Sequence, residues 1–437
     1  MLKLGKGLAV LAAAILSLAA FSAKAEDYVT KDEFEKFKQE FEKYKAANSQ
    51  LNLQNENLKA KNADLAKTVE DLKEGKTRPM SSALDSLMTQ DSGAASKDDF
   101  DKVRSGTTKF LLSGWADAGY EDRHGRNSTF TSSFHPEFIW KLNDQISFDS
   151  DFEAAEINYH FHDLVTFQAG RFHTQFDQFN SRLYPTWINK MPDRPLVFSE
   201  DNPLVPFTSL GANLSGGFDA GPAKFNWAAY VTNGPQLNTF SPSDFGSLEF
   251  DNSTDNNRDK ALGGRLGFLP VPELELGASL QYARVGAQRS PQTRALSMLT
   301  GADLSYNKIF DPLKGAIDIR AEWVWSKVGN AVYSIGGDDV PFNNNRRNGG
   351  YAQIAYRPVQ IDQKWVKNLE LAYRFEHLEN PAFTASTPVE ARPTRGERTR
   401  NTIGLNYWLG PSTVLKFAYE QDSREDNSLL IQFAIGF

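Results

Sequence analysis

Two hydrophobic rhythms divide the chain. Over residues 31–73 the period is seven. Phe34, Phe41, Asn48, Asn55, Asn62 and Val69 share one seam position, and Phe37, Tyr44, Leu51, Leu58, Leu65 and Leu72 each follow three residues later. Six heptads with both seam positions filled predict an α-helical coiled coil, a rod roughly 60 Å long at about 1.5 Å per residue. Three successive seam Asn weaken such a rod but fix its register, because only aligned chains pair the amides. A two-stranded and a three-stranded rod both accommodate that seam. Residues 74–107, with Gly75, Pro79 and the run DSGAASKDD, lose the rhythm and read as a linker.

From about Lys109 the period falls to two. In TFTSSFHPEFIWKL, Phe130, Phe134, Phe138, Trp140 and Leu142 share a face, opposite His135, Glu137 and Lys141. In AIDIRAEWVW, Ile317, Ile319, Trp323 and Trp325 oppose Asp318, Arg320 and Glu322; in NLELAYRFEHL, Leu369, Leu371, Tyr373 and Phe375 oppose Glu370, Arg374 and Glu376. A soluble sandwich also alternates, with its apolar faces inward. Here the polar face carries full charges along whole strands of about ten residues, many bracketed by aromatics. That is the pattern of a barrel with hydrocarbon outside and water inside. Strands are predicted at 108–120, 129–142, 145–153, 156–162, 164–172, 207–217, 224–233, 260–269, 273–285, 296–306, 316–328, 349–358, 368–378, 400–409, 412–422 and 428–437. Their number, sixteen, is even, as single-chain bacterial barrels require. Even-numbered strands end in short turns such as LND, HD and GPS, and several odd-numbered ones in long polar loops: 173–206, 234–259, 329–348 and 379–399. The fold class is therefore all-β: a 16-stranded antiparallel transmembrane β-barrel, preceded by an α-helical coiled coil. The third-to-fourth connection near Ala154 and Ala155 leaves almost no loop, and Pro136 inside a strand predicts a bulge.

Composition narrows this further. Only 40% of residues are apolar. After the N-terminus no run of about 18 apolar residues occurs, so no membrane-spanning helix is encoded. Lys3 and Lys6, the apolar stretch Leu8 to Ala20, and Ala23-Lys24-Ala25 read as a secretory signal peptide that leaves Glu26 as the first mature residue. The chain thus divides into a signal peptide (1–25), a coiled coil (26–73), a linker (74–107) and a barrel (108–437). The absence of cysteine excludes disulfides, thiolate metal sites and a Cys nucleophile. A net charge of −7 argues against nucleic acid as a partner. The last strand, SLLIQFAIGF, closes on Phe437 and is similar to the C-terminal signature by which outer-membrane barrels meet their insertion machinery.

The runs QAGRFHTQF (168–176), DRPLVF (193–198), SLGANLSGGF (209–218), YVTNGPQ (230–236), LELAYRFEHL, TIGLNYWLGPSTVLKFAYE and the terminal LLIQFAIGF resemble the phosphate-selective porin O and P family. The resemblance covers roughly residues 108–437 and rests on several short motifs. It implies a trimeric porin in the outer membrane of a Gram-negative-type bacterium, with outer-membrane lipid around it and its third outer loop, here about 173–206, folded into the lumen. One departure is Gln175, where the family usually has Pro. The N-terminal rod lies outside the resemblance. A trimeric barrel favours three helices in that rod, one per protomer, standing in the periplasm and within reach of the cell wall.

A sixteen-stranded barrel leaves an aqueous channel, with selectivity set at its constriction and by rings of charge. The constriction-loop candidates are Arg171, His173, Arg182, Lys190 and Arg194, against Asp177, Asp193, Glu200 and Asp201. On the lumen wall the basic candidates are Lys141, Arg265, Arg320, Arg357, Arg374 and Lys416. The acidic ones are Asp149, Asp151, Glu153, Glu156, Asp318, Glu322, Glu370, Glu376 and Glu420. Family members select phosphate through basic lumen residues, which extends the expectation to anions. Residues 106–437, however, hold 31 basic and 38 acidic side chains, which argues against strong anion selectivity. His160 and His162 have chelate spacing, yet read as lumen or turn residues at the periplasmic rim. No catalytic, nucleotide-binding or zinc motif occurs, and no cofactor or enzymatic activity is implied. The function expected is a passive pore for small hydrophilic solutes. The alternative is a structural tether joining the outer membrane to the cell wall through the rod.

Overall fold

A computed structural model describes residues 109–124, 128–162, 164–199, 203–240, 244–335, 338–381 and 396–437. The chain divides into two units, Met1–Ala95 and Ser96–Phe437, and every described residue belongs to the second. The heptad segment, the linker and the signal sequence lie outside the described residues.

The strands are β1 (Lys109–Arg123), β2 (Thr129–Lys141), β3 (Ile146–Ser150), β4 (Ala155–His162), β5 (Val165–His173), β6 (Thr208–Ala220), β7 (Ala223–Thr232), β8 (Gln236–Leu237), β9 (Leu248–Glu249), β10 (Ala261–Val271), β11 (Leu274–Arg284), β12 (Leu296–Phe310), β13 (Gly315–Val328), β14 (Ala331–Ile335), β15 (Asp338–Phe342), β16 (Asn345–Arg357), β17 (Leu369–Glu379), β18 (Glu397–Gly410), β19 (Thr413–Asp422) and β20 (Ser428–Gly436). Two small hairpins, β8–β9 and β14–β15, stand within connections. The other sixteen strands form one closed antiparallel barrel in chain order, sealed by β20 against β1. At the seam Trp115 pairs with Gly436, and Gly114 and Phe437 exchange both backbone hydrogen bonds at 3.1 and 3.0 Å. A barrel must close because hydrocarbon offers nothing to an unpaired backbone N–H or C=O.

Burial is inverted relative to a protein folded for water. On β17 the outward Leu371, Tyr373 and Phe375 are 57%, 41% and 38% exposed, while the inward Arg374 and Glu376 are both 0% exposed. The same alternation runs along β11, β18, β19 and β20. Leaving a large apolar side chain in water forgoes about 1.5–3 kcal/mol, so a whole belt of them makes sense only against lipid. Aromatic rows mark both ends of the belt. Phe218, Phe225 and Phe268 pack in a row across β6, β7 and β10, the first pair stacked and the second tilted, each 5.0 Å apart, near the end that carries two-residue turns. Toward the other end the Trp323 and His377 rings stack at 5.7 Å over Gly350, where a Cβ would come within 2.7 Å of the indole. That opposite end carries the long connections 174–207, 233–260, 329–344 and 380–396.

Two sequence expectations are corrected. β3 is shorter than expected, because the Asp151 carboxylate accepts the Glu153 and Ala154 amides at 2.7 and 2.5 Å and draws residues 151–154 into a tight turn. Pro136 makes no bulge. The β1–β2 register runs through it unbroken, facing Gly114. Gly114 spends its N–H and C=O on Phe437, so Pro136 points its N–H-less nitrogen away from β1. On that side β3 pairs only with Phe138–Lys141 of β2, which leaves the site a free edge where no donor is needed. Gly114 itself has φ +141°, and a Cβ there would lie 2.2 Å from the His135 carbonyl oxygen.

Candidate functional site

The lumen is narrowed by the connection between β5 and β6, residues 174–207. Alternation cannot hold this segment in place, since it has no strand partner. It carries its own apolar core instead: Phe176, Phe179, Val197, Phe198 and Val205 are all buried. The Phe179 and Phe198 rings stack at 5.0 Å and meet Tyr351 of β16 edge-on at 6.2 and 6.1 Å. Leu299, Val324 and Tyr351 supply the wall side of this cluster from β12, β13 and β16.

A loop inside a barrel must also satisfy its backbone polar groups, and the wall provides for them. Glu322 accepts the Gln178 amide at 3.0 Å and the Tyr351 hydroxyl at 2.9 Å. Glu376 accepts the Leu196 amide at 2.7 Å. Arg400 donates to the Arg194 carbonyl at 2.7 Å, Asn406 to the Lys190 carbonyl at 2.9 Å, and Gln432 to the Pro192 carbonyl at 3.2 Å. The Lys416 ammonium reaches the carbonyls of Thr186 and Met191. At the loop tip Asp193 sits between Arg374, 2.6 Å away, and Arg400. Glu376 completes the cluster, 2.6 Å from Arg374 and 2.8 Å from Arg400, while Lys190 pairs with Glu370 at 2.8 Å. Burial alone pushes the Asp193 carboxyl up, but the Arg374 and Arg400 guanidiniums outweigh it and hold it below the usual carboxylate range.

These contacts sort the candidate residues. Arg374, Lys416, Glu322, Glu370, Glu376 and Glu420 face inward, yet they are buried under the loop and fasten it. Arg265 lies between Glu275 and Asp303 at 2.9 and 2.6 Å, and Arg320 pairs with Asp318 at 2.8 Å. Arg182 reaches Glu275 at 2.7 Å and with Gln175, Ser181, Asn226 and Arg265 borders a cavity of about 320 Å³ between loop and wall. Arg171 is occupied away from the loop tip, by Thr208, the Asp251 carbonyl and Ser253 at 3.2, 3.0 and 2.7 Å. His173 meets Asp151 at 3.1 Å and Tyr184 at 3.0 Å. Arg194 lies over the Phe207 ring at 4.7 Å, and Arg357 over Trp408 at 5.1 Å. Lys141 pairs with Asp144 in the turn after β2 at 3.2 Å. His160 meets Thr166 at 3.0 Å, and among the described residues no group of three metal-ligating side chains forms. Glu200 and Asp201 lie outside the described residues.

The opposite wall differs in kind. Asp117, Glu137, Asp149, Glu153 and Glu156, from β1, β2, β3, the 151–154 turn and β4, form no ion pair among the described residues. Their side-chain donors are neutral: Ser113 on Glu137 at 3.0 Å, Asn158 on Asp149 at 2.6 Å, Gln168 on Glu156 at 2.8 Å, and Ser133 on Asp117. The sequence reading named three of these five as wall acids and left Asp117 among none. It also missed Arg400, Asn406 and Gln432, although the inward register of β18 and β20 contains them.

No family model matches the sequence, and no curated protein matches it. Solved structures do. The outer membrane channel DcaP of Acinetobacter baumannii aligns with 79% of this chain and 100% of its own, at 11% identity and TM-score 0.46. An OmpF complex with daunomycin from Salmonella typhi covers 76% of this chain and 98% of its own at 11% identity and TM-score 0.45, and an anion-selective porin from Comamonas acidovorans covers 76% and 100% at 10% and 0.44.

Proposed function

We propose that this chain is an outer-membrane porin, a water-filled pore through which small hydrophilic solutes diffuse passively. The observation that carries this reading is the inverted burial: hydrocarbon side chains outward, charge inward, and a folded loop that narrows the interior. The barrel stands with its long connections outside the cell and its short turns and both termini on the periplasmic side, as a homotrimer in lipid. A charged lumen wall orders water and favours polar solutes over apolar ones. Full-length protein added to a planar bilayer gives stepwise, ohmic conductance increments; a membrane that stays silent while folded barrel is present overturns the proposal.

A second role is favoured by the six-heptad repeat of residues 31–73. A coiled-coil rod of that length ties the outer membrane to the cell wall and leaves the pore unaffected.

A further inference from the structure

We infer that the outward face of the barrel, at its long-loop end, carries a seat for the phosphorylated headgroup of a membrane lipid, built on Lys327 and Arg346. The inference rests on the barrel standing in a membrane, as proposed above. Strand register places the site. Met298, Lys327 and Arg346 form one outward row across β12, β13 and β16; Thr300, Trp325, Asn348 and Glu379 form the next row inward along the strands, ending on β17. Together these rows border a cavity of about 690 Å³.

Two cations directly opposite on neighbouring strands repel. Lys327 and Arg346 are in that position, both exposed, and neither forms an ion pair or hydrogen bond among the described residues. Four other cations near the barrel ends are compensated: Arg284 by Asp259 at 2.7 Å, Lys260 by Asp255 at 2.5 Å, Lys308 by Glu273 at 3.3 Å and Lys224 by Asp219 at 3.6 Å. The acid that borders the cavity, Glu379, accepts a hydrogen bond from Asn348 at 2.8 Å. Arg347 also borders the cavity but turns its guanidinium inward, to Asn345 at 3.2 Å and the Pro381 carbonyl at 3.1 Å.

The surroundings select a lipid over a free anion. Met298 and Trp325 are outward and exposed on the lipid face, so acyl chains pack below the charges while a phosphate sits between them. One outward step along a strand is about 6.6–6.8 Å, which sets the two cations just beyond the indole, at the level where interfacial aromatics give way to headgroups. Each basic side chain near a lipid surface adds attraction for an anionic headgroup.

The test uses full-length protein in detergent micelles doped with a diphosphorylated glycolipid or with phosphatidylcholine, read by native mass spectrometry. Wild type retains the glycolipid in preference to phosphatidylcholine, and K327E/R346E loses about tenfold or more of that retention. K224E, at the other end of the barrel, retains it as wild type does, and equimolar inorganic phosphate does not displace it. Equal retention by K327E/R346E, equal retention of phosphatidylcholine, or displacement by inorganic phosphate each overturns the inference. Bilayer conductance of the same preparations reports separately on the pore: neither residue faces the lumen, so K327E/R346E conducts as wild type.

Discussion

The Asp193 carboxylate is a single group on which the geometry of the lumen turns. It lies at the tip of an irregular segment and is held by two guanidiniums from β17 and β18. Arg374 is fully buried, so removing its partner leaves a charge with only Glu376 to balance it. Breaking such a buried pair costs about 3–5 kcal/mol in general, and the low end applies here because Glu376 and Glu420 remain beside Arg400. D193N is therefore expected to release the loop tip at neutral pH, seen as open-channel current noise and a lower thermal midpoint of the folded barrel. The pH dependence has a definite sign. The Asp193 carboxyl is depressed in the folded state, so its stabilisation is complete above the unfolded value, about 3.9, and fades as pH falls through the lower folded value. Wild type stays quiet at pH 5 and grows noisy only below about pH 4, whereas D193N is noisy throughout. Matching traces for the two proteins at pH 7 would refute the role given to Asp193.

At the scale of elements, what could be read in advance is what a period of two dictates. Lipid outside and water inside force strict alternation, so all sixteen barrel strands were legible, and with them the inward faces of residues such as Arg265, Arg320 and Arg374. The 174–207 loop was recognisable as long and polar, but its anchors were not. Whether Arg374 faces open water or a loop carbonyl depends on a partner almost two hundred residues away in sequence, and alternation is silent about that. The two hairpins, β8–β9 and β14–β15, escaped notice because Gln236–Leu237 and Ala331–Ile335 are too short to establish a period. Pro136 was misread for a related reason: whether it needs a bulge depends on where β3 stops, and the Asp151 turn decides that. The heptad segment is a separable element on this view, with its own prediction. Deleting residues 31–73 is expected to leave single-channel conductance unchanged while the envelope of cells carrying the protein sheds membrane and sensitises to detergent. Unchanged envelope integrity would remove the tether and spare the pore.

For the whole molecule the deciding quantity is which charges in the lumen remain uncompensated. A count of side chains over residues 106–437 gives only a modest excess of acid, 38 against 31. Geometry sharpens that excess. Arg265, Arg320, Arg374 and Arg400 are each matched by one or more carboxylates within 3 Å, and Lys416 is spent on loop carbonyls. Asp117, Glu137, Asp149, Glu153 and Glu156 have no such partner and line one side of the lumen. Paired charges look nearly neutral to a passing ion, whereas a one-sided acidic wall raises the local concentration of cations. This barrel is accordingly expected to prefer cations weakly. In a tenfold gradient of potassium chloride the reversal potential should carry the cation sign, and replacing chloride by phosphate should leave that sign unchanged. Neutralising three wall acids together, E137Q/D149N/E153Q, should move the reversal potential toward zero while single-channel conductance falls less than twofold, because Glu137, Asp149 and Glu153 shape the field and none of them anchors the loop. A wild-type reversal potential of anion sign would mean that Arg182, Arg194 and Arg357 dominate the passage, and the assignment of the acidic wall would have to be abandoned.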